Sequence, residues 1–374
     1  MKNKKIMMIA TTDNMIWQFL LPHIKYLQEQ GNVVECVCAK TGFWFDELKE
    51  KHNLVVHEID FGRNPIKLKN FKAYKQLKKL QEEQCYDLIY SQQPVGGMMG
   101  RLIGKKFKVP VVYTAHGFHF FKGCPLVNKV IYKTVEKWLS KYTDTLITIN
   151  EEDYQNALKM KAKNVYKISG IGMSFKKYEE LTETKEQIRE SLGVNANDFV
   201  IVTVAEFIKR KNYNTMLKTI KELKDRNVNV KFLICGRGQE EETIKNQIKE
   251  LGIENEVKIL GFRKDINRIL TASNLFFLPS FQEGLTLSVI EAMSFGLPCV
   301  VSNVRGNRDL VESENCGFLA EPTDYQSFAK HIKTLLTDDK LRKKIGKYNM
   351  EHAKKYTIDY VKEQFIKIYD EFDC

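Results

Sequence analysis

Leu278-Pro279-Ser280-Phe281-Gln282-Glu283-Gly284-Leu285-Thr286-Leu287-Ser288-Val289-Ile290-Glu291-Ala292-Met293-Ser294-Phe295-Gly296-Leu297-Pro298 sets two glutamates on either side of seven residues, between two short apolar runs. The runs, 274–278 before it and 298–302 after it, are of buried-strand type. One short helix fits between them. Thr286 or Ser288 can cap its start, Gly296 is expected in the left-handed conformation just past its end, and Pro298 stops it. A strand, a loop carrying Glu283, a helix N-terminus with free amides and Glu291 in the first turns would line a cleft at the carboxyl ends of parallel strands. Amides suit a diphosphate, and carboxylates suit hydroxyl groups. Ser288 to Glu291 also reads as a capping box, in which the glutamate only satisfies a backbone donor. Glu283, beside a glycine and ahead of the helix, has no obvious local partner.

Outward from this stretch, strands and helices alternate twice, as two doubly wound sheets require. The strands expected in the first half are 5–10, 33–38, 54–57, 88–90, 109–113 and 145–149, with an amphipathic helix from about Trp17 to Gln30 stopped by Gly31. Those expected in the second half are 199–204, 231–235, 257–260, 275–278 and 299–302. Residues 168–173 carry two glycines and read as a hinge ahead of a charged linker. The expected division is a first domain over 1–172, a second over 173–356 and a closing helix over 357–374 that packs back on the first domain. A chain of 374 residues suits two α/β domains, each with its own core.

Hydrophobic residues make up 43% of the chain, which excludes a disordered protein. No run approaches the length of a membrane span or a signal peptide, so a cytoplasmic protein is expected. Of the eight cysteines, Cys36, Cys38, Cys235 and Cys299 lie in apolar strand contexts. Cys36 and Cys38 lie two apart in one apolar strand, where a buried face suits reduced thiols. Reduced, buried thiols with neither disulfide nor metal are expected. The net charge of +12 is lopsided: residues 1–175 hold 27 Lys and Arg against 16 Asp and Glu, whereas residues 176–374 hold 32 against 31. Lysines at 67, 69, 72, 75, 78 and 79 surround a helical stripe of Phe71, Tyr74, Leu77 and Leu80, with Asn64 as cap and Pro65 in the first turn. Lys129, Lys133, Lys137 and Lys141 recur beside Val127, Ile131, Val135, Trp138 and Leu139. Such helices are either solvated surface faces or elements that lie on an anionic membrane.

The two-glutamate segment, with its flanking Pro-Ser and Glu-Ala-Met, resembles the donor-site signature of retaining glycosyltransferases of family 4. The resemblance implies the α/β GT-B fold, two doubly wound Rossmann-like domains facing a central cleft. It assigns Glu283 to the donor sugar and Glu291 to the nucleotide ribose, with Gly284, Leu285, Thr286 and Leu287 lining the diphosphate. In Ala205 to Asn212, Lys211 matches the family's phosphate-binding lysine. The family's arginine is replaced by Glu206, and Arg210 stands as its substitute. Gly236 and Gly238 sit at a strand-to-helix turn that borders the donor, and Phe262 with Arg263 meets the base. His116 in Tyr-Thr-Ala-His-Gly resembles the element that approaches the donor sugar, with His119 nearby. Thr11, Thr12, Asp13 and Asn14 replace the family's paired glycines and are expected to face the acceptor or the phosphates.

No Asp-x-Asp occurs, so the metal clamp of the other large transferase fold has no ligands, and no cofactor is implied. Gly236-Arg-Gly238 lacks the third glycine of a dinucleotide fingerprint, which disfavours a nicotinamide enzyme. The expected activity is retaining, metal-independent transfer of a sugar from a nucleotide-sugar donor, UDP-linked, to a lipid-linked or polysaccharide acceptor in cell-surface glycan synthesis. The transferred unit is a hexose or N-acetylhexosamine. The enzyme would work at the inner face of the cell membrane, docked through its basic first domain. The alternatives are a sugar-nucleotide epimerase of the same fold, which needs no acceptor, and a nucleic-acid binder. The basic stretches carry no nucleic-acid motif.

Overall fold

The computed structural model describes residues 2–42, 44–62, 68–175 and 181–371. The chain forms two compact units, Met1–Met173 with Ile358–Cys374, and Ser174–Thr357.

The first unit is built on seven parallel strands: β1 (Lys5–Thr12), β2 (Val33–Ala39), β3 (Val55–Glu58), β4 (Leu88–Gln92), β5 (Val111–Ala115), β6 (Thr145–Thr148) and β7 (Asn164–Lys167). Their order is β3-β2-β1-β4-β5-β6-β7, so the winding reverses between β1 and β4. That reversal opens a crevice at the carboxyl ends of these two strands. Ile6 to Ala10 are fully buried without alternation, as in a parallel strand covered on both faces. The six strands read from the sequence are present with ends displaced by a few residues. The seventh, β7, escaped that reading because Asn164-Val-Tyr-Lys167 is an edge strand with half-buried or exposed side chains and no apolar run.

Helical turns begin at Asp13, four residues before the expected Trp17. Asp13–Met15 leads into a π-helical stretch, Ile16–Leu20, and then α1 (Leu21–Glu29). In α2 (Leu68–Gln84), Leu77 and Leu80 are buried while Phe71 is exposed; the expected cap residues Asn64 and Pro65, like Lys67, lie outside the described residues. The helix α3 (Pro94–Phe107) lies flush on β5, because a Cβ on Gly97 would sit 2.2 Å from the Tyr113 ring. Arg101 of α3 is wholly buried. It stacks 4.1 Å from the Tyr113 ring centroid and donates 2.7 and 3.2 Å bonds to both oxygens of Glu136 on α4 (Leu126–Leu139). That ion pair and Leu139 tie α4 down, while Leu126, Val127, Val130 and Ile131 are more than half exposed. The closing helix, Ile358–Asp370, sets Phe365 4.2 Å from the His23 ring and edges Tyr369 onto Tyr90. Gly172 is left-handed at φ +81°, and a Cβ there would meet Ile358 Cα at 2.9 Å.

The second unit carries six parallel strands: β8 (Val200–Val204), β9 (Lys231–Cys235), β10 (Val257–Gly261), β11 (Leu275–Leu278), β12 (Cys299–Ser302) and β13 (Gly317–Ala320). The order β10-β9-β8-β11-β12-β13 reverses between β8 and β11. The five strands expected here are present, and the four-residue β13 was missed. The helices that matter for the site are α5 (Tyr213–Asp225), α6 (Glu241–Glu250) and α7 (Leu287–Ser294). The end of α7 is closed by paired bonds, Gly296 N to Met293 O and Leu297 N to Ala292 O, with Gly296 at φ +70°.

The seven described cysteines are free thiols, and burial pushes Cys36 and Cys235 up to about 12, which keeps them protonated.

Glu136→Ala should cost about 3–5 kcal/mol of unfolding free energy by leaving Arg101 buried without a counter-charge. Removing the exposed Lys79–Glu83 pair should cost under about 0.5 kcal/mol. Denaturant midpoints of the two variants check the contrast.

Candidate functional site

In the second unit the loops that follow β8 and β11 meet at the reversal point. Lys211 ends a short 3-10 turn after β8, and its Nζ donates a 2.7 Å bond to Oε1 of Glu283 in the loop after β11. Arg210 Nη1 donates to Glu283 Oε2 at 3.1 Å and to the Gln282 carbonyl at 2.7 Å. Glu283 is buried, so the partner that its local sequence did not supply comes from a strand about seventy residues away. Backbone clamps fix this meeting. Asn212, left-handed at φ +59°, caps α5 and donates to the Pro279 and Pro322 carbonyls at 2.9 and 2.7 Å. Phe281 N donates to the Arg210 carbonyl, and Arg305 Nε donates to the Glu283 carbonyl at 3.2 Å. Glu206, which stands where the family arginine was expected, is exposed.

The start of α7 departs from its expected capping. Thr286 is the N-cap residue, but its hydroxyl donates to Asn307 Oδ1 at 2.6 Å, so the first-turn amides have no side-chain cap. Ser288 lies inside the helix and cannot be the cap. Glu291 falls in the second turn, beyond the capping-box position held by Val289, and is half-buried. Gly284 packs tightly on Gly306, where a Cβ would approach the Gly284 carbonyl oxygen to 2.3 Å. Leu285 and Leu287 are half-buried.

Gly236 and Gly238 are demanded by backbone packing, since Cβ atoms there would lie 1.9 Å from the Ala205 oxygen and 2.5 Å from the Phe207 oxygen. They press the turn after β9 against the Lys211 loop. Phe262 is exposed beneath the Arg237 guanidinium, 4.5 Å from its ring centroid. Arg263, expected to meet a base, is instead committed to Asp265 at 2.6 and 2.8 Å and holds that carboxyl down to about 2. The groups presented there are Phe262 and Arg237, and Arg237 was not singled out from the sequence.

In the first unit the reversal point gathers a second cluster. Gln92 and Gln93 follow β4; Thr11, near the end of β1, donates its amide to Gln93 Oε1 at 3.1 Å and its hydroxyl to the same oxygen. His116, just past β5, donates from Nε2 to Gln92 Oε1 at 2.7 Å. Gln92 is buried, and its Nε2 has no partner among the described residues. Gln93 adopts φ +62° and ψ +163°, a region held almost only by glycine, which costs about 1–3 kcal/mol and recurs at functional sites. Sequence reasoning passed over both glutamines. Their signal was polar residues directly between a strand and Pro94.

Asp13 departs from expectation. It is fully buried, and its carboxylate accepts from the amides of Asn14, Thr41 and Gly42 and from the Thr41 hydroxyl, so it organises the loop after β2. Thr12 stays half-buried and Asn14 exposed. Trp17, on the π-helical stretch, packs against Trp44 with ring centroids 3.8 Å apart and planes tilted by 35°. His119 is exposed and edges onto Tyr132 of α4 at 4.9 Å, apart from the His116–Gln92 pair.

Among the described residues, one trio could hold a metal ion: Glu312, Cys316 and His352, with ligand atoms within 4.8 Å. Its wide sequence spacing carried no motif. Lys355 Nζ stands 3.5 Å from His352 Nδ1, and its charge opposes a dication there.

The family described as glycosyl transferases group 1 matches residues 184–352, and glycosyl transferase 4-like matches residues 5–150. The chain is 32% identical to the putative glycosyltransferase EpsD of Bacillus subtilis (strain 168), over 99% of this chain and 97% of that one. It is 34% identical to the UDP-Gal:alpha-D-GlcNAc-diphosphoundecaprenol alpha-1,3-galactosyltransferase of Escherichia coli, over 75% of this chain and 73% of that one. Among solved structures, Anabaena HepE in complex with UDP and glucose superposes with a TM-score of 0.80 at 21% identity, covering 99% of this chain and all of that one.

Two imidazoles of the first unit are held neutral. Burial lowers both His116 and His23 to about 4, and His23 also contacts the Ile171 carbonyl at 3.2 Å. With folded values below the unfolded 6.5, the unfolded chain binds more protons between those limits. Stability from these groups is therefore complete above about pH 6.5 and falls as pH drops towards 4. The unfolding midpoint should decrease over that window, and His23→Phe should flatten the slope; an unchanged slope in the variant would remove His23 from the account.

Proposed function

The chain belongs to the group 1 glycosyl transferases, and from that premise we propose that it moves a sugar from a UDP-sugar to a lipid-diphosphate-linked saccharide during assembly of a cell-surface glycan. The observation that carries this reading is the Lys211–Glu283–Arg210 cluster beside the uncapped start of α7. Two cations and a helix start without a side-chain cap suit a diphosphate. The names of the relatives support the substrate classes: the galactosyltransferase is named for UDP-Gal and a diphosphoundecaprenol-linked GlcNAc, and HepE holds UDP and glucose.

Without donor, Glu283 holds both cations. An arriving diphosphate shares Lys211, Arg210 and the amides around Leu285 to Leu287, and the carboxylate is left to orient sugar hydroxyls. Glu291, one turn into α7, takes the ribose hydroxyls. Departure of the nucleoside diphosphate leaves oxocarbenium-like charge on the sugar, and stabilising the leaving group lowers that barrier. Retention follows the family: the acceptor hydroxyl attacks on the face the leaving group vacates, and a phosphate oxygen takes its proton. Neutral His116 bonds a sugar hydroxyl without adding charge. Transfer needs no metal, because the leaving diphosphate is met by protein cations. Thr11, Thr12 and Asn14 serve the acceptor. The basic surplus of the first half and the exposed apolar face of α4 support docking on an anionic membrane.

Glu283→Gln should lower kcat by about 10²–10³, the loss of one preorganised charge contact, with little change in melting temperature. Glu291→Gln should raise the donor KM and weaken the thermal shift given by UDP. A Glu291 variant that melts early but binds UDP normally would make that residue structural.

Activity should survive EDTA. Complete, reversible loss on chelation would overturn the protein-only phosphate clamp.

A further inference from the structure

A pocket of about 410 Å³ opens at the amino ends of β5, β6 and β7, the sheet edge opposite Gln92 and His116. Lys105, Lys108, Lys141 and Lys163 line it. Lys163 pairs with Asp144, whose other oxygen accepts from Val111 N at 2.8 Å, so one lysine is neutralised. Lys108 and Lys141 have no ion pair among the described residues. Lys108 is also held left-handed at φ +55°, a helix-ending position usually given to glycine. Lys105 Nζ lies 4.3 Å from the Tyr142 ring centroid and 5.5 Å from that of Trp138. Three uncompensated ammonium groups around one cavity call for a phosphate-bearing ligand.

The neighbouring surface says which phosphate. Trp138 and Lys141 close the helical stretch whose earlier turns expose Leu126, Val127, Val130 and Ile131. Tryptophan and tyrosine beside lysine, at the end of an exposed apolar helix face, is the composition of a protein surface at a bilayer interface. We propose that this pocket binds the phosphate headgroup of an anionic phospholipid while the apolar face of α4 enters the acyl boundary. The assignment rests on the membrane-docking reading and narrows it from diffuse charge to one site. The pocket is distinct from the sugar-transfer residues, so it anchors the protein and leaves chemistry untouched.

Co-sedimentation of the full chain with phosphatidylcholine vesicles, with and without phosphatidylglycerol, tests this. One variant carries Lys105→Gln, Lys108→Gln and Lys141→Gln. A charge-matched control carries Lys25→Gln, Lys51→Gln and Lys159→Gln, which are exposed elsewhere on the first unit. Binding of the unaltered chain should require phosphatidylglycerol. At roughly fivefold per lysine, the pocket variant should lose more than about thirtyfold in partitioning, and the control should stay within about threefold. Unchanged melting temperatures establish that both variants fold. Equal losses in the two variants would overturn the pocket and leave diffuse attraction standing. Failure of the unaltered chain to bind anionic vesicles would overturn docking as well. If inorganic phosphate stabilises the unaltered chain but not the pocket variant, and both bind vesicles equally, the site takes a free anion and the lipid assignment falls.

Discussion

Lys211 and Glu283 meet because the second sheet changes its direction of winding between β8 and β11. Adjacent parallel strands whose connections leave in opposite directions cannot cover their own carboxyl ends, and the loops after them are forced into one crevice. Much of the surrounding backbone serves to hold that meeting. Asn212 bonds back to Pro279 and Pro322, Arg305 secures the Glu283 carbonyl, and Gly236 and Gly238 let a third loop close in where any Cβ would collide. The first sheet repeats the topology, and there Thr11 and Gln93 are the residues joined across β1 and β4.

Neither crevice is arranged for stability. A buried carboxylate holding two cations gives back in attraction about what desolvation takes, and apolar residues of the same volume would hold the loops as well. Gln93 keeps a backbone conformation that glycine would adopt freely, and the buried Gln92 Nε2 has no partner among the described residues. Costs of this kind concentrate where a ligand is expected to supply the missing interactions.

Most of the architecture was legible in the sequence because parallel strands buried on both faces leave continuous apolar runs. The strands at 231–235, 275–278 and 299–302 were read to the residue. The two missed strands, β7 and β13, are four-residue edge elements: β7 has polar ends and β13 opens on Gly317, and so short a run carries little periodic signal. The Glu283 and Glu291 segment was legible as a motif, and the loop after β8 as its cationic counterpart. What stayed hidden was contact: that Glu283 takes Arg210 as well as Lys211, that Asp13 spends its carboxylate on the Thr41 turn, and that Arg263 is committed to Asp265. Residues far apart in sequence met in each case but the last, and for Arg263 a neighbour two positions on competed for the same guanidinium.

The chain leaves the first unit at Met173 and re-enters it at Ile358, and these two crossings are joined by a single 3.1 Å hydrogen bond. The first unit is therefore interrupted, with the second inserted whole between its penultimate and final pieces. During synthesis the first unit begins to form early but must wait for more than 180 further residues before Phe365 and Tyr369 can cover His23 and Tyr90. The half of the protein made first is thus the half completed last. Until that closing helix emerges from the ribosome, a patch of aromatic core stays uncovered, and the nascent chain passes through a stage in which its second unit is finished and its first is not.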